Sequence, residues 1–425
     1  MSDGKLDRKS FLTTTAAITS AGLVTGFPAI LRSRAHAADT LKVGLNYEYT
    51  GVYASYAQSE TRGALMAMDG WNARGGVMGG TRVETVQEDN NNNPGTAVEK
   101  ARKLILVDKC PVQMGSISSA VSLSTSGACA ALNVFYIASG GHADAVTGEK
   151  CEYSTFRTCH STWMETHATG YSLAKKFGKK WYMIIPDYAF GHALQAGYHD
   201  VGKKVGLEFV GEDLTPLGTT DFSPYLTKVL AAKPDLLIVL VQGDDFVNCL
   251  KQVHQYGIAG KLPVGGPQVE LEAVWALPDE ARVGYWGVEW YFKGANVIGS
   301  NNKLANDFVS AYRKKYNQPP TARSAFGYIT MDRLLWTVNQ AKSTDAAKMA
   351  KTLADAHFDT IFEGGAYYRG VDHQLMWPMW VGSIRAKGTP QDQYDIFAIV
   401  DRQEADAVEQ SVAEKQAVCH MNWPT

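Results

Sequence analysis

The 425-residue sequence is short of the features that would name a chemistry directly. Beyond residue 37 there is no run of about 18 apolar residues, so no segment reads as a membrane-spanning helix. C-x-x-C and H-E-x-x-H are both absent, which removes the commonest zinc sites. His160 and His167, like His192 and His199, could share a helix face, but no carboxylate or thiolate stands at ligand spacing. No metal site is expected. There is no G-x-S-x-G elbow and no G-x-x-x-x-G-K-[ST] loop, and the glycines of 75–80 miss the dinucleotide spacing. These absences argue against an enzyme and leave no cofactor expected. Nor is charge of one sign in excess: a net charge of −2 gives no reason to expect nucleic acid or an anionic membrane surface as partner.

What is present suits a globular chain with a sizeable core, 45% hydrophobic and 20% charged. The first 37 residues stand apart. Lys5, Arg8 and Lys9 precede a mildly apolar stretch, and Ala35, His36 and Ala37 form an A-x-A cleavage site, so the mature chain is expected to begin at Ala38 in the periplasm. Arg8-Lys9-Ser10-Phe11-Leu12 fits a twin-arginine signal with lysine in second place, and a general secretory signal fits as well. Six cysteines follow the signal, and an oxidising compartment permits pairing. Cys151 and Cys159 bracket a short loop and are the expected pair, with Cys249 and Cys419 as a second candidate pair.

The mature chain alternates short apolar runs with helical patterns. Strands are expected at 41–47, 81–88, 111–115 and 134–139, with helices at 58–72, 94–107 and 119–132 between them. After Cys159 the rhythm restarts: helices near 162–177, 190–205 and 245–256, one opening at Ser223-Pro224, and strands near 181–185, 207–210, 235–241 and 262–265. This is βαβα twice over, an α/β chain of two doubly wound parallel-sheet units. Helices at 304–316 and 330–340 and strand-like runs at 379–382 and 396–400 are more than one further unit needs.

In open parallel sheets ligands bind beyond the carboxyl ends of the strands. At one such end Ser139, Gly140 and Gly141 leave the backbone bare, and His142 follows. At its neighbour, Gly115 to Ser119 sets hydroxyls and amides at a helix N-terminus, which suits a carboxylate. Taken alone, each stretch reads equally as turn and cap chemistry.

At these residues the chain resembles the type I periplasmic binding proteins, in particular the receptors for branched-chain amino acids. The matching stretches are Thr50-Gly51 with Tyr56, 72–76, 115–119, 137–144, 187–191, 220–223 and Gly266-Pro267-Gln268. The resemblance implies two lobes joined by three crossovers, near 158–162, 287–291 and 373–379. Lobe 1 would be 38–160 plus 291–375, and lobe 2 would be 161–290 plus 376–425. It further implies a solute clasped in the cleft and delivered to the permease subunits of an ABC importer. Carried over, Ser118, Ser119, Gly140, Gly141 and His142 would hold the solute's carboxylate, and Tyr56 would wall the pocket. Phe190, Gln242 and Gln268 would close from lobe 2, with Tyr328 at the rim. Receptors of this family commonly carry an acid where Gln268 stands. A buried ammonium without one is costly, which favours a small organic acid, aromatic acids included, unless Asp244, Asp245, Glu270 or Glu289 compensates. An amino acid or amide is the alternative solute, and a soluble sensory receptor the alternative role.

Overall fold

A computed structural model describes residues 40–293, 302–362 and 364–424. The expected signal peptide at 1–37 lies outside the described residues. Chain order begins with β1 (Thr40–Tyr47), α1 (Ala54–Ala73), β2 (Arg82–Asp89), α2 (Pro94–Leu106), β3 (Val112–Gly115), α3 (Ser119–Ala131), β4 (Phe135–Ala138) and β5 (Thr155–Arg157). These strands form an all-parallel sheet in the order β2-β1-β3-β4-β5. The reversal of order beside β1 places a crevice at the carboxyl ends of β1 and β3. Local chemistry starts the helices where the sequence indicates. Asn93 accepts a hydrogen bond from the Thr96 amide, and Pro94, lacking an N–H, costs nothing in the first turn.

The second group runs α4 (Thr162–Phe177), β6 (Lys180–Pro186), α5 (Ala189–Val205), β7 (Glu208–Thr215), α6 (Ser223–Ala232), β8 (Leu236–Val239), α7 (Asp244–Gln255), β9 (Val264–Gly266), α8 (Leu271–Trp275) and β10 (Tyr285–Val288). The chain then supplies α9 (Lys303–Tyr316), α10 (Ala322–Ala341), α11 (Ala346–Leu353) and the small antiparallel strands β11 (His357–Phe358), β12 (Ala366–Tyr368) and β13 (Leu375–Met376). It ends with β14 (Met379–Ile384), β15 (Phe397–Gln403), α12 (Ala405–Val408) and α13 (Val412–Val418). The second sheet has the order β15-β14-β10-β9-β8-β6-β7, its last two strands joining antiparallel. The surplus tail is thus partly an extension of this sheet and partly cover for the first. The architecture is the expected two-lobed α/β fold.

One helix crossing brings distant charges together. Helices α1 and α10 meet backbone to backbone, because a Cβ at Gly63 would collide with the Ser324 carbonyl and one at Gly327 with the Glu60 carbonyl. Only glycine allows that approach, and it brings Glu60 beside Arg323.

The cysteine expectation is corrected. Cys151 is bonded to Cys419, with Cα atoms 5.6 Å apart, while Cys159 and Cys249 are buried thiols. Strand β5 lies between Cys151 and Cys159, and pairing with β4 holds it extended at about 3.3 Å per residue, which carries Cys159 away. Cys419 reaches Cys151 because α13 docks back on the body, its Lys415 fully buried with Nζ 3.5 Å from the Glu409 carboxylate.

Candidate functional site

The strand ends of both sheets converge on one buried polar cluster. From the first sheet's side, Tyr56 and Glu60 come from α1, His142 follows β4, and Arg323 stands in the first turn of α10. Opposite them lie Phe190 on α5, Glu165 on α4, Gln242 after β8, Gln268 and Glu270 after β9, and Glu289 just past β10. All are buried. The enclosure is sealed by contacts across the cleft: the Tyr53 and Tyr188 hydroxyls lie 2.6 Å apart, the Gly243 amide donates to Tyr56 Oη at 2.9 Å, and the Asp244 amide donates to the Val52 carbonyl at 3.2 Å. This is a closed conformation.

Arg323 is the centre of charge. Its Nε lies 2.6 Å from Glu270, Nη1 lies 3.2 Å from Glu60 and 3.4 Å from the Gly140 carbonyl, and Nη2 is 3.1 Å from His142 Nε2. Its guanidinium stands 5.1 Å over the Tyr56 ring and 5.5 Å over Phe326. His142 Nδ1 is 2.5 Å from Glu165 and 3.8 Å from Glu289. Burial, with Arg323 adding to it, pushes the His142 pKa down to about 3. The ring is therefore neutral, with its Nε2 lone pair facing Arg323 and its Nδ1 beside the Glu165 carboxyl.

The carboxyls fall into two sets. Burial raises Glu60 to about 7 and Glu270 to about 8 against the pull of Arg323, and lifts Glu165 well above the usual range. Burial also opposes the charge on Glu289. Its neighbour His142, the bonds from the His160 amide and Nδ1 at 2.8 and 2.9 Å, and Arg323 outweigh that and hold it at about 2.

The residues singled out in the sequence do not all meet at the cluster. Tyr56, His142, Phe190, Gln242 and Gln268 do; His142 and Phe190 have ring centroids 5.9 Å apart, and Gln242 Nε2 donates to the Gln268 carbonyl at 3.3 Å. Gly140 and Gly141 are bare for a visible reason. A Cβ on Gly140 would strike Arg323 and Glu60, and one on Gly141 would strike Ser122. The helix N-terminus at Ser118 and Ser119 is already engaged within the chain. The Ile117 and Ser118 amides donate to the Glu48 carboxylate at 2.9 and 3.1 Å, and Ser119 Oγ accepts from the Ala143 amide at 3.0 Å. Tyr328 packs on Phe308, ring centroids 4.6 Å apart, on the α9 side of α10. Sequence reasoning passed over Arg323, Glu60 and Glu165. Their signal was a charge set among Tyr56, Ala57 and Ala64, or among Ala322, Ala325 and Phe326, on helix faces that are otherwise buried.

Comparison with known proteins agrees with this geometry. A family model described as periplasmic binding protein matches residues 40–389. The Leu/Ile/Val-binding protein homolog 7 of Brucella suis is 26% identical over 340 residues, 77% of this chain and 84% of that one. A periplasmic binding protein from Burkholderia mallei superposes with a TM-score of 0.81 at 26% identity, covering 89% of this chain and 98% of its own. A solute binding protein of an ABC transporter from Rhodopseudomonas palustris, solved with 3,4-dihydroxybenzoic acid, does so at 0.77 and 21% identity, over 86% and 98%. These relatives are solute-binding proteins, not enzymes. The chain belongs to the periplasmic binding protein family, in the type I branch that includes the branched-chain amino acid receptors.

Proposed function

We propose that the chain is exported, loses residues 1–37, and serves in the periplasm as the solute-capturing component of an ABC importer, delivering its solute to membrane permease subunits. Lobe 1 comprises 38–160 with 291–375, and lobe 2 comprises 161–290 with 376–425. Bending at the crossovers opens the cleft. One observation carries this reading: a fully enclosed polar cluster at the carboxyl ends of strands from both sheets, in which Gln242 Oε1, both side-chain polar atoms of Gln268 and the outer oxygens of Glu165, Glu270 and Glu289 have no hydrogen-bond partner among the described residues. Groups so placed are costly unless a guest satisfies them.

The sequence favoured a carboxylate-bearing acid because Gln268 is neutral. The cluster weakens that preference, since Glu165, Glu270 and Glu289 supply the acids that position 268 lacks, and the solute classes of the relatives span both amino and carboxylic acids. The role itself is tested on the mature protein purified from a periplasmic extract. Members of one solute class should raise its melting temperature without being converted, because a ligand that binds only the folded form stabilises it. Product formation from the stabilising solute would overturn the role.

A further inference from the structure

The C-terminal tail does not end on the lobe to which its place in the chain assigns it. From β15, the edge strand of the second sheet, the chain enters α12, whose Ala405 and Val408 pack with Met164 and Ala168 of α4. Helix α12 therefore rides with the second sheet. Helix α13 does not. Just beyond it, Cys419 is bonded to Cys151, in the segment between β4 and β5 of the first sheet. The Trp423 ring then stands 5.4 Å from the Tyr153 ring, 6.2 Å from the His373 ring and 5.7 Å from Lys351 Nζ. His373 is itself fastened to the first sheet: its ring stacks on Phe156 of β5 at 3.8 Å, and its carbonyl accepts from the Arg157 amide at 3.1 Å.

Three residues, Glu409, Gln410 and Ser411, join α12 to α13. Glu409 (φ −90°, ψ 156°) and Ser411 (φ −61°, ψ 160°) are already extended. At a limit of about 3.3–3.6 Å per residue, the connector has little length in reserve. It is also gripped from both sides. Glu409 accepts from Ser161 Oγ at 2.7 Å, at the crossover of 158–162. The Gln410 carbonyl accepts from Arg369 Nη1 at 2.8 Å, and Asp372 holds the same guanidinium at 2.6 and 2.9 Å, beside the crossover of 373–379. Lys415 of α13 is fully buried, its Nζ 3.5 Å from the Glu409 carboxylate and 4.0 Å from that of Asp372. An ammonium sealed in the interior is costly to draw away from its counter-charges, so α13 stays where it is docked.

We propose that residues 409–419 form a fourth connection between the lobes, a strap closed covalently by Cys151 and Cys419, which limits how far the cleft opens. The proposal rests on the carrier reading, because only a cleft that admits a solute has to open. Opening turns one sheet against the other about the crossovers. A fourth passage beside them, short and extended, must detach at one end before that turn can grow large. The disulfide removes that escape at the end on the first sheet. The free protein is thereby kept nearer to its closed form. Apparent affinity scales with the fraction of free protein that is competent to bind, so a restricted opening tightens binding without touching the solute. Glu409, Lys415 and Cys419 are positioning residues in this sense, since none of them belongs to the buried cluster of the cleft.

Two variants of the mature protein release the strap in different ways. Cys419→Ser opens its closure, and a four-glycine insertion between Gln410 and Ser411 gives it slack while keeping the disulfide and both helices. Freed of small molecules, both should show a larger radius of gyration by solution scattering than the parent, with far-UV circular dichroism unchanged. Calorimetric titration with leucine, glutamine, benzoate and 3,4-dihydroxybenzoate should select the same solute for all three proteins. Both variants should bind it about three- to tenfold more weakly, and the saturated forms should scatter alike. A solute-free insertion variant that scatters as the parent does overturns the strap, whatever Cys419→Ser does to stability. Solute binding by that same variant would leave the carrier reading intact. Failure of the parent to bind any solute would count against the carrier reading, and the scattering of the solute-free forms decides the strap without it.

Discussion

Replacing Cys419 with serine cuts the link between residues 151 and 419, which are 268 apart in sequence. In the chain-entropy treatment, a closed loop of that length removes about 5–6 kcal/mol of freedom from the unfolded chain, against roughly 2.5 kcal/mol for the short loop that a bridge from Cys151 to Cys159 would have closed. Native bridges deliver less than this limit, so the loss on substitution should be about 3–5 kcal/mol. Other anchors keep the tail in place: Arg369 Nη1 donates to the Gln410 carbonyl at 2.8 Å, and Ser161 Oγ donates to Glu409 at 2.7 Å. The folded state should therefore survive with its secondary structure unchanged. At roughly 2 cal/mol/K of unfolding entropy per residue, the melting temperature should fall by about 4–6 °C, and reduction of the parent protein should reproduce the shift. Calorimetry with and without reductant, together with peptide mapping of the alkylated chain, provides the assay. Equal melting of Cys419→Ser and parent, or a map joining Cys151 to Cys159, would refute the reasoning.

Three further outcomes rest on the buried cluster. Tyr56→Phe removes the acceptor of the Gly243 amide only where the lobes meet, so it should weaken solute affinity by roughly 5- to 100-fold while barely changing the melting point of the free protein; a titration by tryptophan fluorescence checks this. Glu60 and Glu270 have folded pKa values raised above 4.5, to about 7 and 8, so the folded state binds more protons than the unfolded one. Their contribution to the stability of the free protein should be fully present below pH 4.5 and lost, by on the order of a few kcal/mol, as pH rises through those folded values; a urea series across pH reads it, and Glu270→Gln should flatten the slope. Arg323→Met should be far more damaging than Glu270→Gln at the alkaline end of the same urea series, by about 3–5 kcal/mol against the parent above pH 8, where Glu60 and Glu270 are ionised and lose their counter-charge.

How legible the molecule was depended on the distance over which each feature is encoded. Local signals did well: the helices expected from 94 and near 162 begin at Pro94 and Thr162, where the side chains of Asn93 and Ser161 cap them. Helix α10 was expected from 330 and begins at Ala322, because Arg323 and Gly327 disguise a buried face as a polar turn. Both residues are explained only by α1, some 260 positions away. The same applies to the site. His142 and Gln268 could be marked from strand ends, yet nothing local indicated that Glu48 would take the helix N-terminus assigned to a solute. The cysteine pairing failed for this reason too, since Cys419 meets Cys151 through tertiary docking and the short loop is stretched by β5.

The most direct measurement of the central claim, a clamp that shuts on its guest, is solution scattering from the mature protein, first freed of small molecules and then saturated with the solute that calorimetry selects. The radius of gyration should drop on saturation, toward the value calculated for the closed arrangement in which the Tyr53 and Tyr188 hydroxyls touch. An unchanged scattering curve, with the solute demonstrably bound, would contradict it.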